Sequence, residues 1–262
     1  MDIQTSFDRD TLQITLDKYA RSSKVTLVYH LKVSDPEGYS RWLTETLDQP
    51  SAKRLYRIDV DPVRHDGMDI DEVLIDEYTN AHQALDVVCA YYERLKAVCS
   101  VHTILFVVPE SAAKFALGKL IFATQGMLKK LLGRTPSTAQ QQHDLPQLVY
   151  SLNKYKVQAS ECSSSFNVPL TQQQAYSISN RQVYRALRHI GAFPLYAGKP
   201  ICLLVSEMDD SLVERWDDFF LLHYSSPETV PDFRQKTHST LQATKGVAAV
   251  DREFVMLSSG VR

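Results

Sequence analysis

The chain has 262 residues, 44% of them apolar and 23% charged, an ordinary globular composition with none of the marks of a disordered one. That length accommodates one large domain or two of about 130 residues, either able to bury a core. Twenty-nine Lys+Arg against 31 Asp+Glu leave a formal charge of −2, so no global field recruits nucleic acid or anionic lipid. No window approaches the ~20 apolar residues of a spanning helix. The first residues show no basic-then-apolar targeting pattern. Four cysteines (Cys89, Cys99, Cys162, Cys202) form no CxxC pair, and the expectation is reduced thiols in the cytoplasm.

Residues before 25 read as an N-terminal extension. Val25–Val33, rich in β-branched and aromatic residues, is the first strand. Asp35-Pro36-Glu37 then supplies a cap acceptor, a proline at the first helical position and a first-turn acid, and Tyr39, Trp42, Leu43 and Leu47 follow at helical spacing. Arg54–Val60 and Glu72–Tyr78 are strands around the polar turn at His65-Asp66-Gly67-Met68-Asp69. Ala84, Leu85, Val88, Tyr92 and Leu95 make one apolar stripe, so Ala81–Val98 is a helix, and Val101–Val108 is the closing strand.

Ser111–Gly133 is a different object: Phe115, Leu117, Leu120, Ile121, Leu128, Leu131 and Leu132 give a broad apolar face beside Lys114, Lys119, Lys129 and Lys130. It reads as a connecting helix with its lysines in water, the sharper alternative being a helix lying on a membrane surface. Pro136–Asp144 is a polar linker. Leu148–Val157 is a strand, Ser160–Asn167 a polar connection and Thr171–Ile190 a helix ended by Gly191. Phe193–Ser206 holds one strand, or a bent pair broken at Ala197-Gly198-Lys199-Pro200. Trp216–Tyr224 is a strand, Glu228–Lys245 a helix, and Val247–Leu257 the last strand.

The order repeats. Asp71-Glu-Val-Leu-Ile-Asp-Glu-Tyr78 lies against Asp217-Asp-Phe-Phe-Leu-Leu-His-Tyr224 at a constant offset of 146, and Val28-Tyr29-His30-Leu31 matches Val149-Tyr150-Ser151-Leu152. Each half is βαββαβ, the ferredoxin-like arrangement. The expected architecture is α+β: a first unit at 1–110, a connecting helix and linker at 111–145, and a second unit at 146–262.

Glu72–Tyr78 running into Thr79-Asn80, Phe219–Tyr224 running into Ser225-Ser226-Pro227-Glu228, and Tyr91-Tyr92-Glu93-Arg94-Leu95-Lys96 on the second helix resemble the dimeric α/β-barrel superfamily, nearest its small uncharacterised single-domain branch. Phe233-Arg-Gln-Lys-Thr-His238 departs from that helix pattern. The resemblance covers residues 25–110 and 147–258. It implies sheets shielded face to face, between two chains or between tandem copies in one, and a pocket between sheet and helices. Phe219 and Leu221 alternate with Phe220, Leu222 and Tyr224, and Val73 and Ile75 with Leu74 and Tyr78, so both faces of these strands are apolar, as such closure requires. Relatives implied by the resemblance oxidise aromatic polyketides without a cofactor, isomerise lactones, cyclise, or use haem.

Nucleophile elbows, phosphate loops, HExxH helices and dinucleotide fingerprints are absent. Cys99-x-x-His102 offers only two metal ligands and reads as a core cysteine with a surface histidine. Arg181, Arg185 and Arg188 share a helix face, an anion grip or a solvated face. His223 with Tyr224 and His30 are the acid/base candidates, each imidazole near a phenol or carboxylate. Arg215, Trp216, Tyr29, Arg57, Glu77 and Tyr78 are the substrate-binding candidates; by the repeat, His223 occupies the position of Glu77. No metal and no cofactor are expected: haem would need an axial ligand, and although His223 and His30 are eligible, nothing marks either. The expected partner is a small-molecule ligand, not nucleic acid, with the chain a monomer or homodimer. The expected function is a small-molecule enzyme of the cofactor-independent oxygenase, isomerase or cyclase type; the alternative is a non-catalytic ligand-binding or scaffold protein.

Overall fold

The computed structural model describes residues 1–20, 24–47, 52–60, 70–111, 119–120, 147–155, 192–205, 215–224 and 250–261. The chain divides into two compact units: Met1–Glu110 with Gly198–Arg215 and Met256–Arg262, and Ser111–Ala197 with Trp216–Val255. The sequence reading kept 146–262 together. Two long strands, β7 (Ala192–Val205) and β9 (Val250–Val261), instead contribute one end to each unit. Between 192 and 205 the chain is one continuous strand, with no break into a pair.

In the first unit, β2 (Val25–Val33), α2 (Pro36–Leu47), β3 (Ala52–Val60), β4 (Glu72–Tyr78), α3 (Ala81–Val98) and β5 (Cys99–Pro109) follow the expected order. Two further elements precede them, β1 (Asp2–Gln4) and α1 (Arg9–Ala20). They replace the expected extension with structure. Local contacts hold α1: Asp8 accepts from the Asp10 amide and the Thr11 hydroxyl, and Leu12 and Leu16, one turn apart, are fully buried. Asp35 caps α2 by accepting from the Gly38 amide at 3.1 Å, and Asn80 caps α3 by accepting from Gln83 at 3.0 Å.

The strands of this unit lie in the order β1-β7-β5-β2-β4-β3-β9, antiparallel except for the parallel β1–β7 pair. Three helices pack on one face, α3 against both α1 and α2. Beneath them Leu27, Tyr29, Leu31, Leu74, Tyr78, Ile104, Phe106, Cys202 and Leu204 join the helix residues Leu12, Leu16, Trp42, Ala84, Leu85 and Leu95 in one core. The opposite face is equally dry: Thr26, Val28, His30, Val73, Ile75, Thr103, Leu105, Val107 and Leu203 alternate with the core residues and are each 1% exposed or less. This unit's sheet is therefore buried on both faces.

In the second unit, β6 (Gln147–Tyr155) pairs antiparallel with β8 (Asp218–Tyr224), the strand order being β9-β6-β8-β7. Tyr150 and Tyr196 both pack their rings on Phe219, at 5.1 and 5.7 Å between centroids. Leu148, Leu152, Phe219 and Leu221 share one face, Phe220 and Leu222 the other, and all are buried. The helices expected at 171–190 and 228–245, Arg181, Arg185 and Arg188, the linker, Cys162 and all of 111–133 except 111 and 119–120 lie outside the described residues. Among the described residues no helix is long and apolar enough to cross a membrane.

Gly198 lies opposite Pro109 where β7 meets β5. A Cβ there would come within 2.3 Å of Val107 Cγ1 and 2.7 Å of the Val108 carbonyl oxygen, and the latter is backbone that cannot step aside. Gly198→Ala is expected to destabilise the protein by roughly 1–3 kcal/mol, read by urea denaturation; an unchanged midpoint would refute this close approach.

Candidate active site

The polar side chains of the first unit collect on the helix face of β2, β3 and β4, under α2. Arg57 and Glu72 sit on neighbouring strands and form two hydrogen bonds, Nε to Oε1 at 2.7 Å and Nη2 to Oε2 at 2.9 Å. Tyr39, reaching down from α2, donates its hydroxyl to the same Glu72 Oε1 at 2.9 Å. Arg54 and Asp76 face each other directly in the ladder and make a second two-pronged pair, Nε to Oδ1 and Nη2 to Oδ2. Asp76 is 3% exposed and Arg54 14%, so the charges have little water to compensate them and depend on each other.

Aromatic rings fill the space around these pairs. Trp42 stacks on Tyr39 (5.7 Å between centroids, 18° between planes) and meets Tyr29 edge-on (5.9 Å, 77°). Tyr29 and Tyr78 are near enough to shift each other's acidity. All three phenols are held as neutral O–H groups: burial comes first in each case, reinforced by Tyr78 and Asp76 for Tyr29, by Asp76 for Tyr78 and by Glu72 for Tyr39. Burial alone would lower the Arg54 pKa, but the Asp76 hydrogen bond and charge more than offset it. Cys99, at the edge of this cluster, is pushed up to about 12 by burial and by Glu72, which leaves it an inert thiol. Two buried polar atoms of the cluster have no hydrogen-bond partner among the described residues, the Tyr78 hydroxyl and the indole Nε1 of Trp42, a residue only 2% exposed. Buried polar atoms are nearly always hydrogen-bonded, so an orphan N–H in this setting marks a place where a ligand or water belongs.

The structure thus brings together three of the residues expected from sequence, Tyr29, Arg57 and Tyr78, and adds Tyr39, Trp42, Arg54, Glu72 and Asp76. The strings carried part of a signal for the charged additions, basic Arg54 and Arg57 on one strand and acidic Glu72 and Asp76 on the next; but Arg54 and Arg57 are three apart, and only the register shift between Arg54 and Tyr56 brings both to the helix face. The other expected residues lie elsewhere. His30 is on the opposite face of the sheet from Tyr29, across from Val73 and Thr103, and fully buried. Glu77 is on that same face at the strand end and pairs with Lys24 at 2.9 Å. Arg215 is exposed, whereas Trp216 is 1% exposed. His223 is fully buried in the second unit, opposite Leu148 in the ladder, and Tyr224 ends the same strand opposite Gln147. His102 is not a surface residue: it is 6% exposed, its Nε2 lies 3.3 Å from Tyr92 Oη, and burial followed by Lys96 lowers its pKa.

No family model matches the sequence, and no curated protein matches it. Solved structures do. A chlorite dismutase variant from Candidatus Nitrospira defluvii superposes with a TM-score of 0.52 at 10% identity, covering 96% of this chain and 95% of that one. The same enzyme in complex with imidazole gives 0.50 at 12% identity with the same coverage. A "putative monooxygenase" from Lactobacillus acidophilus gives 0.47 at 9% identity over 92% of this chain and 98% of that one. The fold is that of the dimeric α/β-barrel proteins, as the sequence resemblance implied.

The comparison corrects one expectation. Chlorite dismutases are haem proteins, so this fold accommodates haem, and the expectation of no cofactor does not stand. The described residues of this chain nevertheless do not fit a haem. An iron needs an imidazole nitrogen facing a space wide enough for the macrocycle, and neither His30 nor His223 has any accessible surface. His102 faces Tyr92, and His82 lies on the surface of α3 at 3.3 Å from Gln13. Among the described residues no three His, Cys, Asp or Glu side chains converge on a metal-sized site.

Two measurements probe this account. Arg54→Met strands the Asp76 carboxylate in the core and is expected to cost ~3–5 kcal/mol, while the double change Arg54→Met, Asp76→Leu recovers most of it. Urea unfolding reads both, and a single-variant loss below about 1 kcal/mol would contradict the mutual dependence. Burial, opposed only by a hydrogen bond to the Thr103 backbone, pulls the His30 pKa from 6.5 down to about 3. The unfolded chain takes up this proton near pH 6.5 and the folded chain does not, so stability present above that pH is lost as the pH falls towards 3. His30→Leu removes that titration. Between about pH 7 and 4 the variant should lose on the order of 3 kcal/mol less stability than the parent chain; parallel stability–pH curves would contradict a buried, neutral His30.

Proposed function

We propose that this protein is a small-molecule enzyme whose site is the helix face of the first unit, and that its chemistry begins by polarising a carbonyl group. The observation that carries this reading is the unsatisfied Trp42 N–H inside a cluster of neutral phenols and closed ion pairs. Phenols held protonated are donors and not bases. Donors fixed in a dry site stabilise negative charge developing on oxygen far better than water does. Tyr29, Tyr78 and Trp42 are the groups for that task, and Arg54–Asp76 and Arg57–Glu72 position them by fixing the strand and helix they stand on. Oxygenation, isomerisation and cyclisation of a carbonyl compound all draw on this polarisation of the carbonyl oxygen, so the site does not choose among them.

The tandem reading belongs to the same proposal. The first unit's β2–β5 segment has strand order β5-β2-β4-β3, and the second unit has β9-β6-β8-β7, the same order in its own strands. Matching β4 to β8 at the repeat offset then makes Val28 equivalent to Tyr150, because Val28 pairs with Ile75 and Tyr150 with Leu221. Tyr29 corresponds to Ser151 and Asp76 to Leu222, which supports a site in the first unit only.

A non-catalytic binding role is the second reading, favoured by one observation: both guanidinium groups already have two hydrogen bonds to a carboxylate each. Incubating the purified protein with a small-molecule extract and following consumed species by mass spectrometry separates the two. The parent chain should deplete a carbonyl compound that Tyr29→Phe, at an unchanged melting temperature, leaves intact. Depletion by neither would remove the enzyme reading and leave the binding protein.

A further inference from the structure

We propose that the helix-face site takes an uncharged ligand carrying a carbonyl-type hydrogen-bond acceptor, and discriminates against carboxylates. The proposal rests on the reading above that this site binds a small molecule, and it adds the ligand's charge class. Arginines near a pocket ordinarily invite an anion, because the planar fork of donors matches a carboxylate. Here one two-pronged edge of each guanidinium is already taken by a carboxylate. Arg54 makes both its Nε and Nη2 bonds to Asp76, and Arg57 makes both of its own to Glu72. Two guanidinium groups and the two carboxylates they bind sum to zero, Asp59 opposite Glu72 adds a negative charge beside Arg57, and the tyrosines add no charge because burial holds each as a neutral phenol.

An anion entering this cluster would lose its hydration and meet no unbalanced positive charge among the described residues. Its closest new neighbours would include the Asp76 and Glu72 carboxylates. Displacing Asp76 from Arg54 to make room would only exchange one stranded carboxylate for another. A ketone, aldehyde, quinone or lactone oxygen has no such penalty. It needs one good donor, and the buried Trp42 Nε1, 98% removed from water with no acceptor of its own, is that donor. The rings of Tyr29, Tyr39 and Trp42 around it favour a planar, largely apolar body for the rest of the molecule.

The chain has only two tryptophans, Trp42 and Trp216, so the proposed donor is directly observable. In a ¹⁵N-labelled sample the two indole N–H signals are assigned with Trp216→Phe or, should that variant not fold, with Trp42→Phe. The full-length protein is then titrated with aryl methyl ketones and with the aryl carboxylates of the same ring systems, 4-hydroxyacetophenone against 4-hydroxybenzoate among them. The ketones should move the Trp42 signal saturably downfield, with the carboxylates binding about tenfold more weakly or worse. Equal or stronger shifts with the carboxylates overturn the charge class, and no shift with any ketone overturns the assignment of Trp42 as donor. Ketone binding without turnover of any carbonyl compound removes catalysis and keeps this inference. Turnover confined to carboxylates keeps catalysis and removes it.

Discussion

A sheet that is dry on both faces has nowhere to put an unpaired charge. In the first unit Leu27, Tyr29, Leu31, Leu74 and Phe106 are buried on one side of the strands, and Val28, His30, Ile75, Thr103 and Leu105 on the other. Yet Arg54, Arg57, Asp59, Glu72 and Asp76 all stand on the helix side of this sheet. In a half-wet sheet Arg54 and Asp76 would each point to solvent and their pairing would count for little. Here each is the other's only substitute for water, and the two-pronged geometry of both pairs follows from that requirement.

The same constraint separates the two faces by chemistry. The helix face carries charge because α2 brings Tyr39 and Trp42 over it, and Tyr39 donates a third hydrogen bond to Glu72. Among the described residues the opposite face has no ion pair at its centre: Val28, Val73, Ile75 and Leu105 surround the neutral His30. A histidine held neutral far below its ordinary titration range cannot exchange protons near neutral pH, so its role there is packing and hydrogen bonding.

Element type was well legible in the sequence where side-chain period was clean. Val25–Val33, Glu72–Tyr78 and Ala81–Val98 occur with the expected bounds because β-branched alternation and one apolar helical stripe leave no competing period. The N-terminal β1 and α1 were not legible: three residues are too short for a strand signal, and α1 exposes Ile14 at 69% while burying Thr15, which blurs its stripe. The site was half legible. Tyr29, Arg57 and Tyr78 stand on neighbouring strands, but strand alternation alone does not say which face receives the helices. His30 therefore looked as eligible as Tyr29, although successive residues on a strand point to opposite sides. Trp42 and Tyr39 read as core positions of a helix, which they also are; only their hydrogen-bonding inventory distinguishes a donor in use from one without a partner.

On the tandem reading proposed above, the fold constrains the site very little. Counting along the ladders, the positions of Glu72, Leu74, Asp76 and Tyr78 recur as Asp218, Phe220, Leu222 and Tyr224. One acid persists at the start of the strand, and its carboxylate accepts from the Phe219 amide at 3.0 Å. Asp76, the partner of Arg54, has become an aliphatic residue. A copy lacking that carboxylate has no reason to keep a buried arginine opposite it, since either one alone would be an uncompensated charge in a dry interior. Loss of one member removes the selective value of the others together, so a duplicated polar cluster of this kind survives intact or disappears as a set. The strand order, which depends only on which residues are apolar, passes through the same substitutions unchanged.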